Sequence, residues 1–178
     1  MCLEVAPITV DCRTVTGGLV DAIYIAHKKD VAAIPAPASD TGAITGDVTM
    51  TAGKTFASWA FVEDTGSMKE ESVGDAGFRS VKTTVSSMVK GNKAQVTRML
   101  NQLLNGSFVL IVKDAEGQTW LIGNKERGAT LGIKRDFGTK GEDKNHCALE
   151  FTITSGGAMP YNGAIPGASA TPTPAPAG

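Results

Sequence analysis

Residues 91–123, GNKAQVTRMLNQLLNGSFVLIVKDAEGQTWLIG, read without a break as a capped amphipathic helix, a buried strand, a tight turn and a second strand. Asn92 stands at the N-cap position and Gln95 follows at the spacing of a capping box. Val96, Met99, Leu100, Leu103 and Leu104 recur at i, i+3, i+4, i+7 and i+8, which places them on one apolar stripe. Arg98, Asn101 and Gln102 face away from it, and Gly106 follows where a left-handed stop is expected. This predicts a packed helix near residues 92–105. The run Phe108 to Val112, FVLIV, has no polar position, as expected of a strand covered on both faces. Asp114-Ala115-Glu116-Gly117 then puts glycine where a turn needs positive φ, and residues 118–122 return as the partner strand.

The flanking sequence is β-like. Leu19 to Ala26 follows a Gly17-Gly18 turn and reads as a strand that His27, Lys28, Lys29 and Asp30 end. Val31 to Asp40 carries Pro35 and Pro37, which argues for a surface loop or arm. Residues 43–51 predict a strand or hairpin. Thr55 to Glu63 follows period two with apolar side chains on both faces, and therefore predicts contact with two layers. Residues 79–89 alternate as a half-buried strand. Pairing them with residues 66–73 gives a long hairpin whose tip lies near Gly74 to Gly77.

Asn124 to Asn145 holds six basic and four acidic residues and reads as a long polar loop or loose hairpin, a contact loop between subunits rather than a nucleic-acid platform. Residues 147–154 alternate cleanly and close the β domain. From Ser155 onward there are five of the eight prolines and no charge, the composition of an extended tail. The expected fold is mostly β with one helix (α+β), a β-sandwich or barrel. A single β-rich assembly domain is expected over residues 1–155, with a Pro/Gly/Ala-rich extended tail over 156–178.

The 178 residues suffice for one domain with a real core. A net charge of −1 gives no global basic excess for gripping nucleic acid. No stretch approaches the roughly 20 apolar residues of a membrane helix, and residues 1–12 show no secretory pattern, so synthesis in the cytoplasm is expected. Cys2, Cys12 and Cys147 make no disulfide framework, and with His27 and His146 they form no CxxC or HxxxH spacing, so no metal site is expected. GATLGIK over 128–134 lacks the spacing of a phosphate loop, and GDAG over 74–77 lacks that of a dinucleotide fingerprint. The carboxylate pairs Glu63-Asp64, Glu70-Glu71 and Glu142-Asp143 lie in hydrophilic stretches and read as solvated surface. No catalytic residue and no cofactor is expected. An enzyme or a host-side binding module would need a pocket that gathers His27, His146 and a carboxylate.

Three passages carry a family likeness: DCRTVTGGLVDAIYIAHKKDV, TFASWAFVEDTGSMKEE and NKAQVTRMLNQLLNGSFVLIVKDAEGQTWLIGNKE. Over roughly residues 11–160 the chain resembles small virion structural proteins of phages and prophages of Bacteroidetes-type hosts. Its element order is similar to that of phage tail tube proteins. The resemblance implies a virion protein, synthesised in the host cytoplasm, that forms hexameric rings stacked around a channel for DNA. Inner strands would complete a ring-wide barrel, and the helix would pack outside through Val96, Met99, Leu100, Leu103 and Leu104. The hairpin over 64–80 would reach the next ring through Met68, Lys69, Glu70, Glu71, Asp75, Phe78 and Arg79. The tail would lie on the outer surface or on a neighbour. Implied partners are the chain itself and sheath, terminator or baseplate proteins, with DNA passing without sequence-specific contact. A capsid decoration or head–tail connector protein is the alternative that the same motifs allow.

Overall fold

The computed structural model describes residues 17–91, 93–138 and 145–167. The strands are, in chain order, β1 (Leu19–His27), β2 (Val31–Ala33), β3 (Thr49–Met50), β4 (Ala57–Ala60), β5 (Ser67–Val73) and β6 (Ser80–Lys90). The helix α1 (Ala94–Leu103) follows. After it come β7 (Phe108–Asp114), β8 (Thr119–Ile122), β9 (Thr130–Asp136), β10 (His146–Ser155) and β11 (Met159–Pro160). The fold is mostly β with a single helix. One sheet of five strands runs β11-β8-β7-β1-β4, one of four strands runs β5-β6-β10-β9, and β2 pairs with β3.

FVLIV decides the layering. As the middle strand of the larger sheet, β7 pairs with β1 on one side and β8 on the other. Its side chains alternate between two cores. Phe108, Leu110 and Val112 enter the first core with Ile23 and Ile25 of β1 and Val85, Leu131, Leu149 and Phe151 of the smaller sheet. The two sheets therefore face each other as a sandwich. Val109 and Ile111 enter a second core with Ile44, Val48, Phe56, Leu121 and Tyr161 on the opposite face. Each such side chain removed from water contributes about 1.5–3 kcal/mol, so a polar residue is disfavoured at each position from Phe108 to Val112. The expected contact of residues 55–63 with two layers is present: Phe56 lies in the second core, while Trp59 and Phe61 pack on the first.

Several expectations need correction. The N-cap of α1 is Lys93, with no side-chain cap bond, and Asn92 lies outside the described residues. Leu100 is buried and Val96 and Leu103 pack half-buried on the first core, but Met99 and Leu104 stay 40% and 41% exposed. The covered face is thus narrower than the apolar stripe. Gly106 does not take positive φ; its N–H donates to the Leu103 carbonyl at 2.8 Å, and a β-carbon there would run into the Phe108 ring. The reason for glycine is close approach rather than handedness.

Val31–Ala33, read as loop, is a short strand. Residues 130–136, read as part of a polar loop, form β9 on the edge of the smaller sheet, pointing Leu131 and Ile133 at the first core. Residues 139–144 lie outside the description.

The segment 156–167, expected to begin the tail, is built into the fold. β11 pairs with β8, and the Ile44 N–H donates to the Pro160 carbonyl at 2.8 Å. Tyr161 is 1% exposed, donates its hydroxyl to the Ala164 carbonyl at 2.6 Å and accepts the Val48 N–H at 3.2 Å. Tyr161 enters the second core, and Met159 and Ile165 pack part-buried against it. Residues 168–178 are outside the described residues.

Candidate assembly surface

The β5–β6 hairpin pairs Ser67 with Ser86 through Val73 with Ser80. At its tip Gly74 and Gly77 take φ of 101° and 90°, and the Phe78 N–H donates to the Asp75 carbonyl at 3.0 Å. A β-carbon on Gly74 would lie 2.8 Å from the Phe78 carbonyl oxygen, so only glycine closes the turn this tightly. The turn presents Phe78 to solvent, 87% exposed, with Asp75 and Arg79 exposed beside it.

The other expected contact residues divide. Met68 packs part-buried on the first core. Glu70 is committed to its own chain: Oε1 accepts the Thr83 hydroxyl at 2.6 Å and the Ala158 N–H at 2.7 Å, tying the hairpin to the approach to β11. Glu71 pairs with Lys82 at 3.1 Å across the hairpin. Both partners of that pair are well exposed, so it contributes little to stability. Of the seven, Lys69, Asp75, Phe78 and Arg79 remain exposed and uncommitted among the described residues.

The two outer edges closest to this hairpin in sequence differ. β5 ends the smaller sheet with the charged run Lys69-Glu70-Glu71. β4 ends the larger sheet with Ala57, Ser58 and Ala60 exposed. From Thr55 to Val62 the sequence TFASWAFV has no charge, proline or glycine. Natural edge strands are usually blunted by one of those devices. The uncharged run was legible in the sequence, but its position at an edge was not.

At the base of β5, opposite the tip, is a cleft of about 800 Å³. Leu19, Val20, Phe61 and Gly66 line it, with Glu63 and Asp64 at the rim. Asp64 has φ of 60°, the one positive value at a described residue other than glycine. The sequence treats these carboxylates as part of a solvated loop; the fold brings them against residues 17–20 through the bond from the Leu19 N–H to the Gly66 carbonyl at 3.1 Å.

The histidines are not gathered. His27 stacks on Phe108 with centroids 4.8 Å apart, while His146 lies on β10 opposite Lys90 and Asp136. Several basic side chains of the 124–138 stretch bond to their own chain: Lys125 Nζ donates to the Ala32 carbonyl at 2.9 Å, and Arg135 Nη2 to Asn101 Oδ1 at 2.9 Å. Among the described residues, no group of three His, Cys, Asp or Glu side chains is placed to hold a metal ion, and no helix is long and apolar enough to cross a membrane. No protein-family model, no curated protein and no solved structure matches the chain.

Proposed function

We propose that this chain is a self-assembling structural protein, a tail tube subunit of the kind its sequence resembles, whose copies join into hexameric rings stacked around a channel for DNA. The observation that carries the self-assembly reading is the open, uncharged edge of β4. Between the Phe56 N–H, which donates to the Pro166 carbonyl, and the Val62 N–H, which donates to the Met88 carbonyl, the outward groups of Ala57 to Ala60 have no strand beside them among the described residues, and no charge, proline or glycine there discourages pairing with a neighbouring copy. Strand addition around a closed rotation gives a ring, and many modest contacts add through avidity. A net charge of −1 suits a channel that lets DNA pass rather than one that holds phosphate.

The test is negative-stain electron microscopy of the purified chain across a concentration series, with Ser58→Lys beside it. Rings or hollow tubes that the lysine on the edge abolishes support the reading. A chain that stays monomeric at every concentration counts against it, and capture on preformed capsids would then favour the decoration or connector role.

A further inference from the structure

We propose that the hairpin tip of one copy docks in the cleft at the base of β5 in the next, with Phe78 against Phe61, Leu19 and Val20, and Arg79 beside Glu63 and Asp64. This rests on the self-assembly reading above and names the surfaces that join successive copies along the strand direction.

Three observations carry it. The first is the knob. Phe78 is 87% exposed beside Gly74 and Gly77, which close the hairpin tip at positive φ, so a large apolar ring stands in water at the end of the hairpin. The second is the hole. The cleft of about 800 Å³ is lined by Leu19, Val20 and Phe61 together with the carboxylates of Glu63 and Asp64, while the knob offers an aromatic ring followed at once by a cation. A cavity of that size is in the range that encloses a drug-sized molecule, so a phenyl ring and the stem of an arginine fit within it. Asp64 at the rim is held at φ of 60°, and strain of this kind collects where a binding surface needs a particular shape.

The third observation is their separation. Gly66 in the cleft and Gly74 at the tip stand at opposite ends of β5, roughly 25 Å apart at about 3.3 Å per residue. The knob therefore cannot reach the hole of its own chain. Each copy offers one at either end of the same strand, so the contact is heterologous and repeats along that axis, the arrangement that builds a stack instead of a closed dimer. The positions varied below, Phe78, Arg79, Glu63 and Asp64, are all exposed, so their variants leave the cores intact.

The experiment uses the full chain. Phe78→Ser is expected to weaken association at least tenfold by sedimentation velocity. Arg79→Glu and the double change Glu63→Lys with Asp64→Lys are each expected to weaken it about fivefold, as exposed charge pairs do, and their combination to restore it. p-Benzoylphenylalanine placed at position 78 should crosslink to residues 17–20 or 61–66 of another copy. If the wild type assembles and Phe78→Ser assembles equally well, or the crosslinks map elsewhere, the docking is wrong and the self-assembly reading stands. If a photoprobe at Ala115, on the cleft wall, reacts instead with residues 1–16 of its own chain, the cleft belongs to that segment and the docking is again wrong. A wild-type chain that never associates overturns both.

Discussion

The Trp120 indole N–H donates a hydrogen bond of 2.8 Å to the Asp114 carboxylate, which closes the β7–β8 hairpin from the side. The other oxygen of Asp114 accepts the N–H groups of Glu116 and Gln118 at 3.0 and 2.9 Å. One carboxylate thus satisfies three donors around a turn whose Gly117 takes φ of 89°. Asp114→Ala leaves a part-buried indole N–H without its partner and releases the turn. A loss of about 2 kcal/mol is expected, since hydrogen bonds to charged groups contribute about 1.5–3 kcal/mol. In a domain of this size that lowers the melting temperature by about 4–8 °C. Thermal unfolding followed by tryptophan fluorescence checks it; a melting point within a degree of wild type would show that the turn holds without the carboxylate.

Glu70 provides a second test, because its carboxylate serves the fold rather than a neighbour. Thr83 is 1% exposed and spends its hydroxyl on Glu70. Glu70→Ala removes that acceptor and the one used by the Ala158 N–H, with an expected cost of about 1–3 kcal/mol. Hydrogen exchange locates the effect: the Ala158 amide should exchange much faster in the variant, while amides of β7 keep their protection. Unchanged exchange at Ala158 would mean the approach to β11 is held by β8 alone.

Gly106 and Gly117 separate two reasons for a glycine. Gly117 needs positive φ but has open space where a β-carbon would go, and Gly106 has the reverse problem. Gly117→Asn is expected to cost under about 1 kcal/mol, since asparagine tolerates the left-handed region. Gly106→Ala forces the Phe108 ring out of the first core and is expected to cost about 1–3 kcal/mol, against which the smaller entropy of the unfolded alanine chain offsets under about 1. Urea midpoints of the two variants decide the matter; equal losses would contradict the assignment.

These glycines also mark how far the sequence could be read. FVLIV announces a strand between two layers because no face of it can be wet, and the glycines of 74–77 announce the hairpin tip because few other residues turn there. Periodicity identifies the helix, yet it says which residues share a face and not how deeply each is covered, and Met99 and Leu104 stay 40% and 41% exposed where Leu100 is buried. In β9 the inward Leu131 and Ile133 alternate with Gly132 and Lys134 and then give way to Arg135, and that pattern reads as polar loop until β10 is seen beside it. The run from Gly156 carries no charge, which describes a linker and a buried segment equally well; Tyr161 was the discriminating residue. At the candidate surface, Phe78 and its neighbours were legible as a protruding tip. The cleft was not, since it exists only when residues 17–20 meet 61–66, a long-range contact that local patterns do not encode.

Two buried acids set the response to alkali. Burial pushes the Tyr161 phenol above its ordinary value; the Val48 N–H opposes the shift and the Asp47 carboxylate adds to it. Burial also raises the Cys147 thiol, partly opposed by the charge and hydrogen bond of Arg135. In both cases the folded chain keeps a proton at a pH where the unfolded chain has lost it. Their contribution to stability is therefore complete below the unfolded values, about 8.5 for a thiol and about 10 for a phenol, and declines as pH rises beyond them toward the folded values. Stability should be level between pH 7 and pH 8 and fall in two stages above that. Cys147→Ala should flatten the first stage. Tyr161→Phe should be less stable at pH 7, by about 1–2 kcal/mol for the bonds to Ala164 and Val48, but should lose less between pH 9 and pH 10.5. Urea midpoints across that range measure it directly. Parallel decline in wild type and Tyr161→Phe would show that the phenol is not the group whose titration opens the second core.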